Sequence, residues 1–164
     1  MEKGEAIMAG KGLSVLCGFI VAIIFFTGFP NVAGGSDWVY YGTGSPGDKY
    51  FYDKASIRNV SKNVIRVWTK VVYSDEGRTR KISDYKKDGY STTGFERLSE
   101  TQNLWLINCV DEIFTITEGR HHASDGRVLD MYKADKTVWG YAAPDSAVES
   151  LMKMVCEDAR PKKR

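Results

Sequence analysis

Residues 104–109 read LWLINC, a nearly continuous apolar run that ends on a cysteine. A run of this length and composition predicts a central strand buried on both faces. It resumes at residues 113–117 (IFTIT), after Asp111 and Glu112, as the same strand continued across a bulge. Upstream, residues 63–73 (NVIRVWTKVVY) alternate in character. Strand side chains point to opposite faces in turn, so Ile65, Val67, Val71 and Tyr73 share one face and Arg66, Trp68 and Lys70 the other. Residues 38–41 (WVYY) and 49–53 (KYFYD) are aromatic-rich strands flanking the turn-rich 42–47 (GTGSPG). Downstream of residue 73, Asp75-Glu76-Gly77 reads as a turn and residues 78–82 as a returning strand. Residues 83–89 (SDYKKDG) read as a short helix stopped by Gly89, and residues 90–101 as irregular. Asp125-Gly126 is a hairpin turn feeding residues 127–132 (RVLDMY), and residues 137–141 (TVWGY) close the sheet as an edge strand.

The period changes at the end of the chain. Pro144 is followed by Ser146 and Glu149, an S-x-x-E capping box. Val148, Leu151, Met152 and Val155 then recur at helical spacing and form one apolar face, with Cys156 at its edge. From there Cys156 can reach Cys109 on the buried strand. The fold class expected is α+β: an antiparallel β-sheet of about six strands, with a C-terminal helix packed on one face and tied by a disulfide.

The opening segment sets the compartment. Lys3 and Lys11 precede a charge-free run at residues 13–26 (LSVLCGFIVAIIFF), which Thr27-Gly28-Phe29-Pro30 breaks. Ala33, Gly34 and Gly35 supply small residues for cleavage, after Ala33 or Gly34. The pattern is that of a secretory signal peptide over residues 1–34, with an uncleaved anchor as the alternative and Met8 as a second start. Cys17 lies inside the apolar run, where a lipidated cysteine would follow it, so no lipid anchor is expected there. Two cysteines then remain, Cys109 and Cys156, and two cysteines in an exported chain read as a bridge. Without C-x-x-C spacing they make a poor zinc site. The mature chain is about 130 residues, one domain over residues 35–159 with a basic tail at 160–164. Glu2 and Glu5 offset the leader lysines, so the mature chain keeps the net charge of +2. That field is too weak to point to nucleic acid.

An ordered set of fragments carries a resemblance. Tyr52-Asp53 with Ser56-Ile57, Arg66-Val67-Trp68, Leu104-Trp105 ahead of Cys109, Asp125-Gly126, and Pro144-x-Ser146 leading to Val155-Cys156 follow one another. In that order the chain resembles the surface-adhesin protein E family of Gram-negative bacteria, from about residue 38 to residue 156. The resemblance implies a small antiparallel sheet with a C-terminal helix tied on by a disulfide. It implies an adhesin-like role, although the founding adhesin is a lipoprotein and this chain lacks a lipobox. No binding residue of the family maps onto a position here.

The best surface candidate is the stripe Arg66, Trp68 and Lys70, a tryptophan flanked by two cations that could grip an aromatic or anionic ligand. The competing and favoured expectation is that Trp68 lies under the helix while the cations reach past the sheet margin. His121 and His122 with Asp125 could hold a divalent metal. Neighbours on a strand diverge, so a solvated histidine pair is expected and no metal. Catalysis has little behind it: no G-x-S-x-G motif occurs, the thiols are committed to a bridge, and Asp111-Glu112 reads as a solvated pair. The basic tail reads as a solvated terminus. The expectation is an exported, non-enzymatic binding or adhesin-like module of the periplasm or cell surface. It needs no cofactor, its ligand is an unknown protein or glycan outside the cytoplasm, and it meets membrane only through an uncleaved leader. The alternative is a membrane-anchored structural or assembly protein of the envelope.

Overall fold

The alternating segment at residues 63–73 becomes strand β4 (Val64–Val72), and it pairs along its whole length with β5 (Leu98–Asn108). A computed structural model describes residues 35–160. The leader, its cleavage point, Cys17 and the tail beyond Arg160 lie outside the described residues. The remaining strands are β1 (Trp38–Thr43), β2 (Lys49–Asp53), β3 (Arg58–Ser61), β6 (Ile113–Ala123), β7 (Val128–Lys133) and β8 (Gly140–Tyr141). Two α-helices complete the list, α1 (Asp75–Lys87) and α2 (Ala147–Asp158). The sheet is antiparallel in the order β1-β2-β4-β5-β6-β7, with β3 also on β4 and β8 also on β6.

One edge of β4 is thus shared by two short strands. β2 pairs with its C-terminal half and β3 with its N-terminal half, and a 3-10 turn at Lys54–Ser56 bulges out between them. Asp53 caps that turn: its Oδ1 accepts from Ala55 N and from Asp37 N. Ser56 Oγ donates to Asp53 O and accepts from Trp68 N, which the broken edge would otherwise leave unpaired. These are the Tyr52-Asp53 and Ser56-Ile57 fragments of the family resemblance, so their structural task is to carry the chain across the break.

The alternation of β4 sorts the sheet into two faces. Ile65, Val67, Trp105 and Ile107 are buried on one of them, against Leu151, Met152 and Val155 of α2. Leu151, Val155, Val67 and Ile107 are fully buried, and apolar burial of this kind is worth about 2 kcal/mol per side chain. The disulfide between Cys109 and Cys156 closes the far end, with the Cα atoms 5.7 Å apart and a sequence separation of 47. A loop of that span stabilises by about 4 kcal/mol in the chain-entropy account. Tyr52 Oη donates to Asp158 Oδ2 (2.7 Å), and Lys54 Nζ reaches Asp158 Oδ1 (2.6 Å). The pair offsets a carboxylate at the negative end of the helix dipole.

Five expectations need correction. Residues 75–82 are not a turn and a strand but the first two turns of α1, which begins at the Ser74 cap. Residues 113–117 do not continue the strand of 104–109: they begin an antiparallel partner, β6, after a tight turn. In that turn Asn108 Oδ1 accepts from Val110 N and Asp111 N, and Glu112 takes the left-handed conformation at φ 54°. The irregular stretch ends at Arg97, since β5 begins at Leu98. Residues 104–109 are not buried on both faces: Trp105 and Ile107 are buried while Leu104 and Leu106 are half-buried, because both helices lie on one side. Of residues 137–141, only Gly140 and Tyr141 pair.

Candidate functional site

The position of α1 decides which sheet face is free. Tyr85 of α1 places its hydroxyl 2.6 Å from His121 Nε2, and His121 Nδ1 lies 2.7 Å from Thr101 Oγ1. His121 registers with Thr101, and Thr101 with Val71, on the same side as Val67 and Ile65. Both helices therefore pack on one face, α2 at one end and α1 at the other. The expectation that Trp68 lies under the C-terminal helix is overturned, because the side chains of Arg66, Trp68 and Lys70 point to the face that neither helix touches.

On this helix-free face the three candidates stand differently. Arg66 is exposed and, among the described residues, forms no ion pair. Trp68 is half-buried, with the Arg120 guanidinium 5.0 Å from its ring centroid. Lys70 is more enclosed, with its Nζ 4.4 Å from the Trp38 ring, 5.6 Å from the Phe51 ring and 3.6 Å from Glu100 Oε2. Sequence reasoning found the stripe on β4 but missed its cross-strand company. Register places Arg58 directly opposite Arg66, and it places Phe51, Gln102, Arg120 and Met131 in one row with Lys70. Only the pairing of strands distant in sequence reveals those neighbours.

The histidines separate. His121 is fully buried, which corrects the expectation of a solvated pair, and His122 faces the other side of the sheet. Both His121 ring nitrogens are held by hydroxyls, and Thr101 Oγ1 is 2.9 Å from Tyr73 Oη in turn. Burial drives the imidazole pKa down to about 4, Lys81 adds to the shift, and Asp130 opposes it. Burial likewise raises the Tyr85 phenol and pushes that of Tyr73 up to about 12. The neutral chain of hydroxyl, imidazole and hydroxyl is complete in itself, with His121 and Thr101 buried and Tyr85 half-buried. Thr101 lies against an imidazole as a nucleophile would, but both of these side chains are buried. Among the described residues no three His, Cys, Asp or Glu side chains converge on a metal position.

Depressions mark the surface of the described residues. A cleft of about 630 Å³ runs beside α2 and the disulfide, lined by Asp111, Glu112, Tyr141, Glu149, Lys153 and Glu157 among others. A shallower one of about 360 Å³ lies at the β6–β7 margin against Glu118, Arg120, Met131 and Lys133. The helix-free face otherwise presents strand side chains in cross-strand rows, an arrangement suited to an extended ligand or another macromolecule.

Residues 38–157 match the family model described as surface-adhesin protein E. Three solved structures of Haemophilus influenzae protein E are similar. One, from a non-typeable strain, is 15% identical at a TM-score of 0.45, over 72% of this chain and 75% of that one. Another is 14% identical at a TM-score of 0.43, over 66% and 77%. A second crystal form is 14% identical at a TM-score of 0.41, over 66% and 80%. No curated protein sequence matches the chain. Since the family model covers nearly all of the described residues, the chain belongs to the surface-adhesin protein E family and is an exported cell-surface protein.

Proposed function

We propose that the chain is a non-enzymatic binding module that captures a ligand outside the cytoplasm through its helix-free sheet face. Arg66 and Trp68 make the first contacts, and Lys70 holds Trp38 and Phe51 in place around them. One observation carries the reading. Both helices, the disulfide and the buried His121 serve the opposite face, while this one keeps an exposed Arg66, without an ion pair among the described residues, and the Trp68 ring under Arg120. Cations interleaved with rings on a strand array suit recognition of an anionic or aromatic surface. The ligand is a host protein or glycan, in keeping with the family. The working unit is the domain of residues 35–159, with residues 1–34 as a cleaved leader and 160–164 as a basic tail.

The test is capture of matrix components from host cells by the purified protein. Wild type retains a ligand, and the R66A/W68A/K70A variant does not. The variant's thermal midpoint falls by less than about 8 °C, equivalent to about 2 kcal/mol in a domain of this size. A collapse of the variant's fold, or retention equal to wild type, overturns the reading.

A further inference from the structure

The charges of this protein are sorted by face. The net charge of the whole chain is +2. The register puts Lys49, Arg58, Arg66, Lys70, Arg120 and Lys133 on the helix-free face, against Asp53, Glu100 and Glu118. All three acids are engaged: Asp53 accepts from Ala55 N and Asp37 N, Glu100 lies 3.6 Å from Lys70 and Glu118 3.4 Å from Arg120. What remains is an uncompensated excess of cations, densest where Arg58 and Arg66 stand opposite each other.

That pair is the unusual feature. Like charges directly across two strands repel and cost stability. Arg58 is held in place by its own Nη1, which donates to Ala55 O (2.8 Å) and Ile57 O (2.7 Å). Those carbonyls orient the guanidinium without neutralising it. Among the described residues no carboxylate pairs with either arginine. A single anionic group between the two forks would turn the repulsion into paired charge-assisted hydrogen bonds. The rings of Trp38, Phe51 and Trp68 lie along the same surface, and such rings pack against the C–H faces of sugars. A row of separated anions carried on sugar rings matches both features at once.

Resting on the binding reading above, we infer that the ligand of this face is an acidic polysaccharide, one bearing sulfate or carboxylate groups along its chain. The Arg58–Arg66 pair clamps one such group, and Arg120, braced on Trp68, meets another further along. The Arg58–Arg66 pair sits on paired strands, and the shallow depression lined by Arg120 and Met131 lies further along the face, so the polysaccharide lies across the strands.

The experiment measures binding of the full purified chain to immobilised heparin, with uncharged dextran, polyglutamate and phosphatidylglycerol vesicles as parallel arms. Wild type binds heparin and is released by salt, because surface ion contacts are screened. It does not bind dextran. The R58Q/R66Q variant binds at least about tenfold more weakly, the scale of one lost charge-assisted contact. Its thermal midpoint equals or exceeds that of wild type, since a repulsion has been removed. A control, R78Q/R80Q on α1, loses the same two charges from elsewhere and binds as wild type. Absence of heparin binding, or equal loss in the control, overturns the proposal. Comparable binding of polyglutamate or vesicles through the same two arginines overturns the polysaccharide assignment while leaving the face as the binding surface. Unchanged binding by R58Q/R66Q removes this pair, and the clamp with it.

Discussion

The two faces of the sheet are built from the same strands, residue by alternate residue, and they have opposite duties. One face carries α2, the disulfide, α1 and the buried His121. The other carries rings and cations with no layer above them. Strand alternation makes such a division inexpensive, because a residue and its neighbour in sequence answer to different environments. Val67 is fully buried while Trp68 beside it is half-exposed under Arg120. On the proposed reading, stability and recognition rest on different side chains of one strand, and each can be altered alone.

The largest effects fall on the covered face. Replacing Cys109 and Cys156 with Ser lowers stability by about 4 kcal/mol, measured as the denaturant midpoint against the oxidised wild type. Leu151→Ala costs about 3 kcal/mol by the same measurement, because Leu151 is fully buried against the sheet and leaves a cavity. If either change also abolished ligand capture in the protein that remains folded, the division between faces would be wrong.

A smaller effect belongs to the α1 end of the same face. α2 is held by an apolar core and a covalent link, α1 by its Ser74 cap and by Tyr85 on His121. Tyr85→Phe leaves His121 Nε2 buried without a partner and costs about 2 kcal/mol. Hydrogen exchange should rise across α1 and stay unchanged across α2. Acidity acts at the same place. With its pKa near 4 in the folded protein against 6.5 in an exposed ring, His121 takes up a proton on unfolding anywhere between the two. Stability from this group is complete above pH 6.5 and is lost as the pH falls toward 4. The groups facing it are Lys81 and Tyr85 of α1, Thr101 of β5, and Asp130 and Tyr132 of β7, while His122, adjacent in sequence, lies on the other face. Thermal midpoints should therefore decline between pH 6.5 and 4.5 in wild type. The decline should be absent in H121Q, whose midpoint is lower throughout.

The smallest change in stability is expected on the bare face, from R58Q/R66Q. There the midpoint stays level or rises while binding is lost. The contrast with Leu151→Ala is the sharpest form of the comparison.

How far the sequence carried the fold depended on the kind of signal. α2 announced itself through an apolar stripe and the Ser146 cap, and Glu149 N does donate to Ser146 Oγ at 3.2 Å. α1 has no such stripe; its ring contacts come from Tyr85 alone. Gly77 in its first turn reads as a turn residue, yet it is there because a Cβ would strike the Asp48 carboxylate. That carboxylate accepts from Ser74 N and Oγ and locks the helix start to the β1–β2 turn. The signals present were Ser74 followed by Asp75 and Glu76, with Lys86 and Lys87 at the far end, the charge order a helix dipole favours. On the sheet, β4 showed its own alternation but not its neighbours. Arg58 and Arg120 join the candidate site only through pairing across the sheet, which no local pattern encodes.

The claim that recognition belongs to the helix-free face is tested most directly by hydroxyl-radical footprinting of the protein, free and saturated with its captured ligand. Trp68, Phe51 and Met131 should lose reactivity on binding, while Tyr141, on the cleft beside α2, keeps its own. Protection of Tyr141 with Trp68 unchanged would move the site to the cleft beside α2 and contradict the account.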